Sequence, residues 1–106
     1  MKDIVTLKKS TKGKSLKFLI SPPVQETLNI DYGDSLQIDI YGIYKEGKEM
    51  IPVDPPVPNP GIVMKAGGTS KGITMKKDVV KLLQLKAEQM LGINIQIEKK
   101  KEPDTD

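Results

Sequence analysis

The chain has 106 residues, 37% hydrophobic and 29% charged, with a net charge of +3, which allows one modest core in an ordinary soluble globular domain. It contains no Cys and no His, so disulfides, thiolate sites and the commonest zinc and imidazole-based catalytic constellations are excluded; a non-enzyme without metal or cofactor is expected. No apolar run approaches the about 18 residues needed to cross a bilayer, and MKDIVTLKK lacks the apolar stretch of a secretory signal, so a cytoplasmic protein with no membrane partner is expected.

In chain order, Ile4 to Leu7 is expected to be a strand, followed by the basic glycine-containing loop TKGKS. The alternation of Leu16, Phe18 and Ile20 predicts a second strand that pairs with the first as a hairpin. Ser21 before Pro22 predicts an N-cap with proline at the first helical position, and Val24 with Leu28 gives a helix of about two turns a narrow apolar stripe. Asn29 suits the left-handed position that ends it. So short a helix is unstable alone and must dock on a sheet. The turn DYGD leads into the alternating strand Leu36, Ile38, Ile40, and YGIYKEGKEMIPV adds a hairpin around Glu46-Gly47-Lys48.

PVDPPVPNP holds five of the eight prolines and predicts an extended linker that cannot enter a central sheet. Beyond it the order repeats. Ile62 to Met64 predicts a strand, AGGTSKG a loop, and Ile73 with Met75 a second strand. Asp78 is the expected cap of the helix VVKLLQL, and Leu91, Ile93, Ile95 and Ile97 form a last strand. KKKEPDTD has no apolar residue and is expected to be disordered.

Residues 13–40 align without a gap on residues 68–95, with identities at Gly13/Gly68, Ser15/Ser70, Val24/Val79, Leu28/Leu83, Leu36/Leu91, Ile38/Ile93 and Ile40/Ile95. The organisation read from this is a first repeat over 1–53, a Pro-rich linker over 54–60, a second repeat over 61–98 and a disordered tail over 99–106, the two repeats sharing one core. A unit of about 45 residues lies near the limit at which a lone core stabilises a domain, which favours merging two.

LISPPVQETLNIDYGDSLQIDI resembles the AbrB-like (AbrB/MazE/SpoVT) pattern: a strand, a proline near the start of a short helix ending in Leu-x-Ile, a Gly-Asp turn and another strand. ITMKKDVVKLLQLKAEQMLGINIQI resembles it again. The resemblance implies a mostly β fold with short helices, a swapped-hairpin β-barrel formed by the two tandem repeats as an intrachain pseudo-dimer; a homodimer with exchanged hairpins is the alternative. It also implies a transcriptional regulator that binds double-stranded DNA through the first hairpin and helix start of each unit. The first copy keeps Gly33 and Asp34 but has Ser21, Pro22 and Pro23 where relatives often carry Pro followed by a basic residue. The second keeps Lys76 and Lys77 but has Glu88 and Gln89 at the turn.

The charge pattern agrees with a nucleic-acid partner. Six Lys in residues 1–17 and six in 61–97 flank an acidic middle, and all seventeen basic residues are Lys. Lys lacks the fork that reads guanine edges, so contacts should fall on phosphates. The DNA-binding candidates are Lys8, Lys9, Lys12, Lys14, Lys17, Lys65, Lys71, Lys76 and Lys77, expected on one basic face; the plainer alternative is an ordinary solvated surface. Gly13 and Gly67-Gly68 lack the spacing of a nucleotide loop. Asp31 and Asp34 are read as turn-capping groups, and Tyr32, Tyr41 and Tyr44 as packing residues. Two alternatives remain: an antitoxin-like DNA-binding component, for which only KKKEPDTD is available as the toxin-binding extension, and a protein-interaction module that has lost DNA binding.

Overall fold

The computed structural model describes residues 1–10, 13, 15–45 and 49–102. Among the described residues the alternating segments form nine strands: β1 (Lys2–Thr6), β2 (Lys8–Lys9), β3 (Leu16–Leu19), β4 (Ser35–Lys45), β5 (Glu49–Pro58), β6 (Gly61–Ile62), β7 (Met64–Lys65), β8 (Lys71–Thr74) and β9 (Met90–Lys99). Two seven-residue helices, α1 (Pro22–Leu28) and α2 (Lys77–Leu83), complete a mostly β chain. One sheet has the order β1-β9-β4-β5 with β6 also on β4; the other has the order β2-β3-β8-β7. All pairings are antiparallel.

The two sheets are not joined into a barrel, which corrects the expected closure. The expected first strands are also divided. Residues 2–6 pair with β9, and only Lys8–Lys9 pair with β3; likewise Gly61–Ile62 pair with β4 and Met64–Lys65 with β8. The backbone explains the division. Leu7 gives its N–H to Gln89 O (2.8 Å) and accepts from Glu88 N (2.7 Å), so it bonds a turn instead of a strand. Val63 does the same with Asp34 O (2.9 Å) and Gly33 N (2.8 Å). Both side chains are buried, so each strand changes sheets while its apolar residue enters the core.

The registers centre on residues 55 positions apart: Phe18 lies opposite Ile73 in β3–β8, and Asp39 opposite Asn94 in β4–β9. Local bonds recur at the same spacing. Ile20 N donates to Lys71 O and Met75 N to Leu16 O; Asn29 and Gln84 end the helices at φ 53° and 52°; Gly33 and Glu88 hold φ 89° and 70° in the turns that follow. The conformation is costly for Glu88 and easy for Gly33. Buried residues from both halves, among them Leu7, Phe18, Leu36, Ile38, Ile73, Leu91, Ile93 and Ile95, form one cluster. Each helix buries one valine, Val24 or Val79, in that cluster, a contribution of about 1.5–3 kcal/mol apiece.

Four local expectations differ from the structure. Helix α2 begins one residue before Asp78, with Lys76 as its N-cap, and the Asp78 carboxylate accepts only from Val79 N (3.0 Å). Ser21 occupies the N-cap of α1 as expected, but its hydroxyl bonds the Asp3 carboxylate (3.1 Å) instead of the helix. The Pro-rich stretch from Asp54 to Pro58 is not a free linker; it ends β5, the edge strand beside β4, where a missing N–H on the outer side breaks no ladder. Lys99 lies in β9, and Lys100 and Lys101 are docked, so the tail is ordered further than its composition suggests. The expected tip Glu46-Gly47-Lys48 lies outside the described residues, but Lys45 faces Glu49 across its base.

Candidate nucleic-acid interface

Strand alternation decides where the candidate lysines point. In β3, Leu16 and Phe18 are buried, so Lys17 and Leu19 lie on the outer face. Cross-strand partners share a face, which places Lys8, opposite Lys17, and Thr74, opposite Lys17 on the other side, in one transverse row. The adjoining row is Leu19, Gly72 and Met64. Gly72 is required there, because a Cβ would stand 2.8 Å from the Ala66 Cβ and 3.1 Å from the Phe18 carbonyl oxygen.

Lys9 and Lys65 lie opposite Leu16 and Lys71, on the core-facing parity, but both sit at open sheet edges and are exposed. Lys71 turns inward. Its Nζ donates to Gln25 Oε1 (3.3 Å) and stands 5.0 Å from the Tyr32 ring centre, while Tyr32 donates its hydroxyl to Thr69 O (2.6 Å). Lys76 and Lys77 begin α2, two and three residues beyond Thr74, and so run on from the Lys8–Lys17–Thr74 row. The described candidates therefore do not share a single face. Lys8, Lys17, Lys76 and Lys77 gather on one side, whereas Lys71 is spent on α1 and Tyr32. Lys12 and Lys14 lie outside the described residues.

Lys77 lines a shallow groove with Ser15, Leu16, Met75, Val80 and Lys81. Lys81 was not among the sequence candidates, although its spacing of four from Lys77 places both on one helix face. Asn59 was also missed. It is fully buried, accepts from Lys76 N (2.8 Å), and gives its backbone N–H to Ile38 O (2.7 Å), tying the start of α2 to β4. Inside a Pro-rich segment it carried no sequence signal.

The patch is not wholly free charge, because Lys8 pairs with Glu88 at 2.8 Å; both side chains are more than half exposed, so the pair is weak and easily exchanged for a phosphate. The acidic turn has a different role. Asp34, fully buried, accepts from Asp31 N and Lys101 N (both 2.8 Å) and from Lys100 Nζ, which also reaches Asp31 (3.2 Å) and Asn29 O. Burial pushes the Asp34 carboxyl up, but the bonds from Lys100, Lys101 and Asp31 outweigh it and hold it below its ordinary range. The bond to Asp34 likewise raises Lys100. Asp34 is thus a turn clamp with its lone pairs engaged, in keeping with the capping role read from DYGD.

Among the described residues no cluster of acidic side chains could hold a metal ion, and no helix is long and apolar enough to cross a membrane. Compared with known proteins, the chain matches no family model, no curated protein and no solved structure.

Proposed function

We propose that this protein is a cytoplasmic transcriptional regulator that binds duplex DNA, built as an intrachain pseudo-dimer of two AbrB-like swapped-hairpin units. The recurrence of registers at one spacing supports two related units, Phe18 on Ile73 and Asp39 on Asn94, and so do the matched roles of Leu7 and Val63. Each hairpin also bonds the segment that leads into the other half's helix, Met75 N donating to Leu16 O and Ile20 N to Lys71 O, which supports this reading.

The observation that carries the functional reading is the outer row Lys8–Lys17–Thr74 together with the lysines at the start of α2, Lys76 and Lys77 in a groove with Thr74 and Ser15, and Lys81 beside Lys77. Ammonium groups held in this way neutralise phosphates and release condensed counterions, so affinity should fall by about 0.9 log units per log unit of salt for each phosphate contacted. Fluorescence anisotropy of a labelled mixed-sequence duplex over a salt series tests it. Steeply salt-dependent binding supports the reading, and its absence at low salt overturns it. The exposed Leu19, Ile62 and Met64 favour a second reading, a protein-interaction module, which co-purification of a stoichiometric protein partner without DNA binding would support.

A further inference from the structure

We infer that the DNA surface is one-sided: the half built from the first hairpin and α2 carries the contact, and its counterpart, built from the second hairpin and α1, does not. This rests on the DNA-binding reading and goes beyond it, because two related units would ordinarily present matching contacts to a twofold-symmetric site.

The matched hydrogen bonds define the counterparts. Since Leu7 corresponds to Val63 and Leu16 to Lys71, Lys8 corresponds to Met64, Lys9 to Lys65 and Lys17 to Gly72. By the spacing of 55, Lys76, Lys77 and Lys81 correspond to Ser21, Pro22 and Glu26. Five of these six lysines therefore have an uncharged or acidic counterpart. The first set is contiguous, because Met75 N bonds Leu16 O and the Ser15 groove is shared with Lys77 and Lys81. The second set surrounds an apolar row in which Leu19 and Met64 are 44% and 57% exposed on either side of Gly72. That row itself carries no cation, and the lysines that share a groove with Met64, Lys76 and Lys77, belong to the basic set. Of the two basic residues on that side, Lys71 is held against Gln25 and Tyr32, which leaves Lys65. The acids do not reverse the balance: Asp78 and Glu88 lie on the basic side, and Glu26, with Asp3 against Ser21, on the other.

A chain charged in this way engages one half-site and needs no palindrome. Its salt slope should report the phosphates of one side only.

Lys9 and Lys65 supply the internal control, since they are counterparts of equal charge at exposed edges. Wild type, K9Q, K65Q, the double variant K17Q/K77Q and the addition variant M64K/E26K would be titrated onto a labelled 20-base-pair mixed-sequence duplex over a salt series, with circular dichroism to show that each is folded. The expected result is that K17Q/K77Q weakens binding about tenfold or more and flattens the slope by about 1–2, each lost phosphate contact removing about 0.9. K9Q should weaken it about two- to fivefold and K65Q less than about twofold, and M64K/E26K should steepen the slope. Equal losses for K9Q and K65Q would overturn one-sidedness while leaving DNA binding intact. Failure of the wild type to bind would overturn the DNA reading and this inference with it.

Discussion

The buried carboxamide of Asn59 accepts a hydrogen bond from the backbone N–H of Lys76 at 2.8 Å, joining the end of the Pro-rich segment to the first turn of α2. The bond crosses from one half of the chain to the other and holds the segment that carries Lys76 and Lys77. Asn59→Ala leaves the partly buried Lys76 N–H without its acceptor, a cost of about 1–3 kcal/mol. Urea denaturation should show that loss with an unchanged m-value. A change below about 0.5 kcal/mol would mean that the bond is made equally well by water.

Asp34 and Lys100 predict the pH limits of stability. The folded Asp34 carboxyl lies below its ordinary value of 3.8, so its contribution is present above that value and is lost as pH falls through the lower, folded one. Lys100 lies above 10.5, so its contribution is present below that value and is lost only as pH rises through the higher, folded one. The Asp34→Asn variant, already destabilised at neutral pH, should therefore show a shallower loss of stability than the wild type as pH falls below 3.8. Parallel acid profiles for the two proteins would assign the decline to other carboxylates.

Ile38 and Ile93 are both fully buried in the one apolar cluster, on neighbouring strands β4 and β9. Ile38→Asp or Ile93→Asp puts a carboxylate into that cluster without a partner, and each should unfold the whole chain. Amide exchange should show protection lost in both halves together. Loss confined to the mutated half would separate the two cores.

Gly92 has a steric role at the far end of the sheet. A Cβ there would stand 2.8 Å from the Tyr41 ring, which lies over the β9 backbone with Lys2 Nζ 5.1 Å from its centre. Gly92→Ala should displace the ring and destabilise by about 1–3 kcal/mol, the usual cost of overpacking. In Gly92→Ala/Tyr41→Ala the two effects should be less than additive, read by thermal denaturation; full additivity would place the strain elsewhere.

Much of this architecture is legible in the residue pattern because its cause is local. Alternation places Leu36, Ile38 and Ile40, and later Leu91, Ile93 and Ile95, on a buried face, and Pro22 and Asn29 mark the two ends of α1 where they fall. The apolar periods and the spacing of 55 follow from side-chain chemistry repeated along the chain, which needs no partner to be read. Pairing is different, because a strand's period says which face is buried and nothing about which neighbour it bonds. Tertiary structure alone decided that the chain switches sheets at Leu7 and Val63, that β5 takes the proline segment as an edge, and that Lys100 and Lys101 close over Asp34. It also divided the lysines. Sequence counts all seventeen as equal charges, whereas the fold places Lys8 beside Lys17, turns Lys71 onto Tyr32 and brings Lys81 to the groove beside Ser15. The physical reason is that a charge acts over the few ångströms set by folding, and residues 60 positions apart can share a surface that no local pattern encodes.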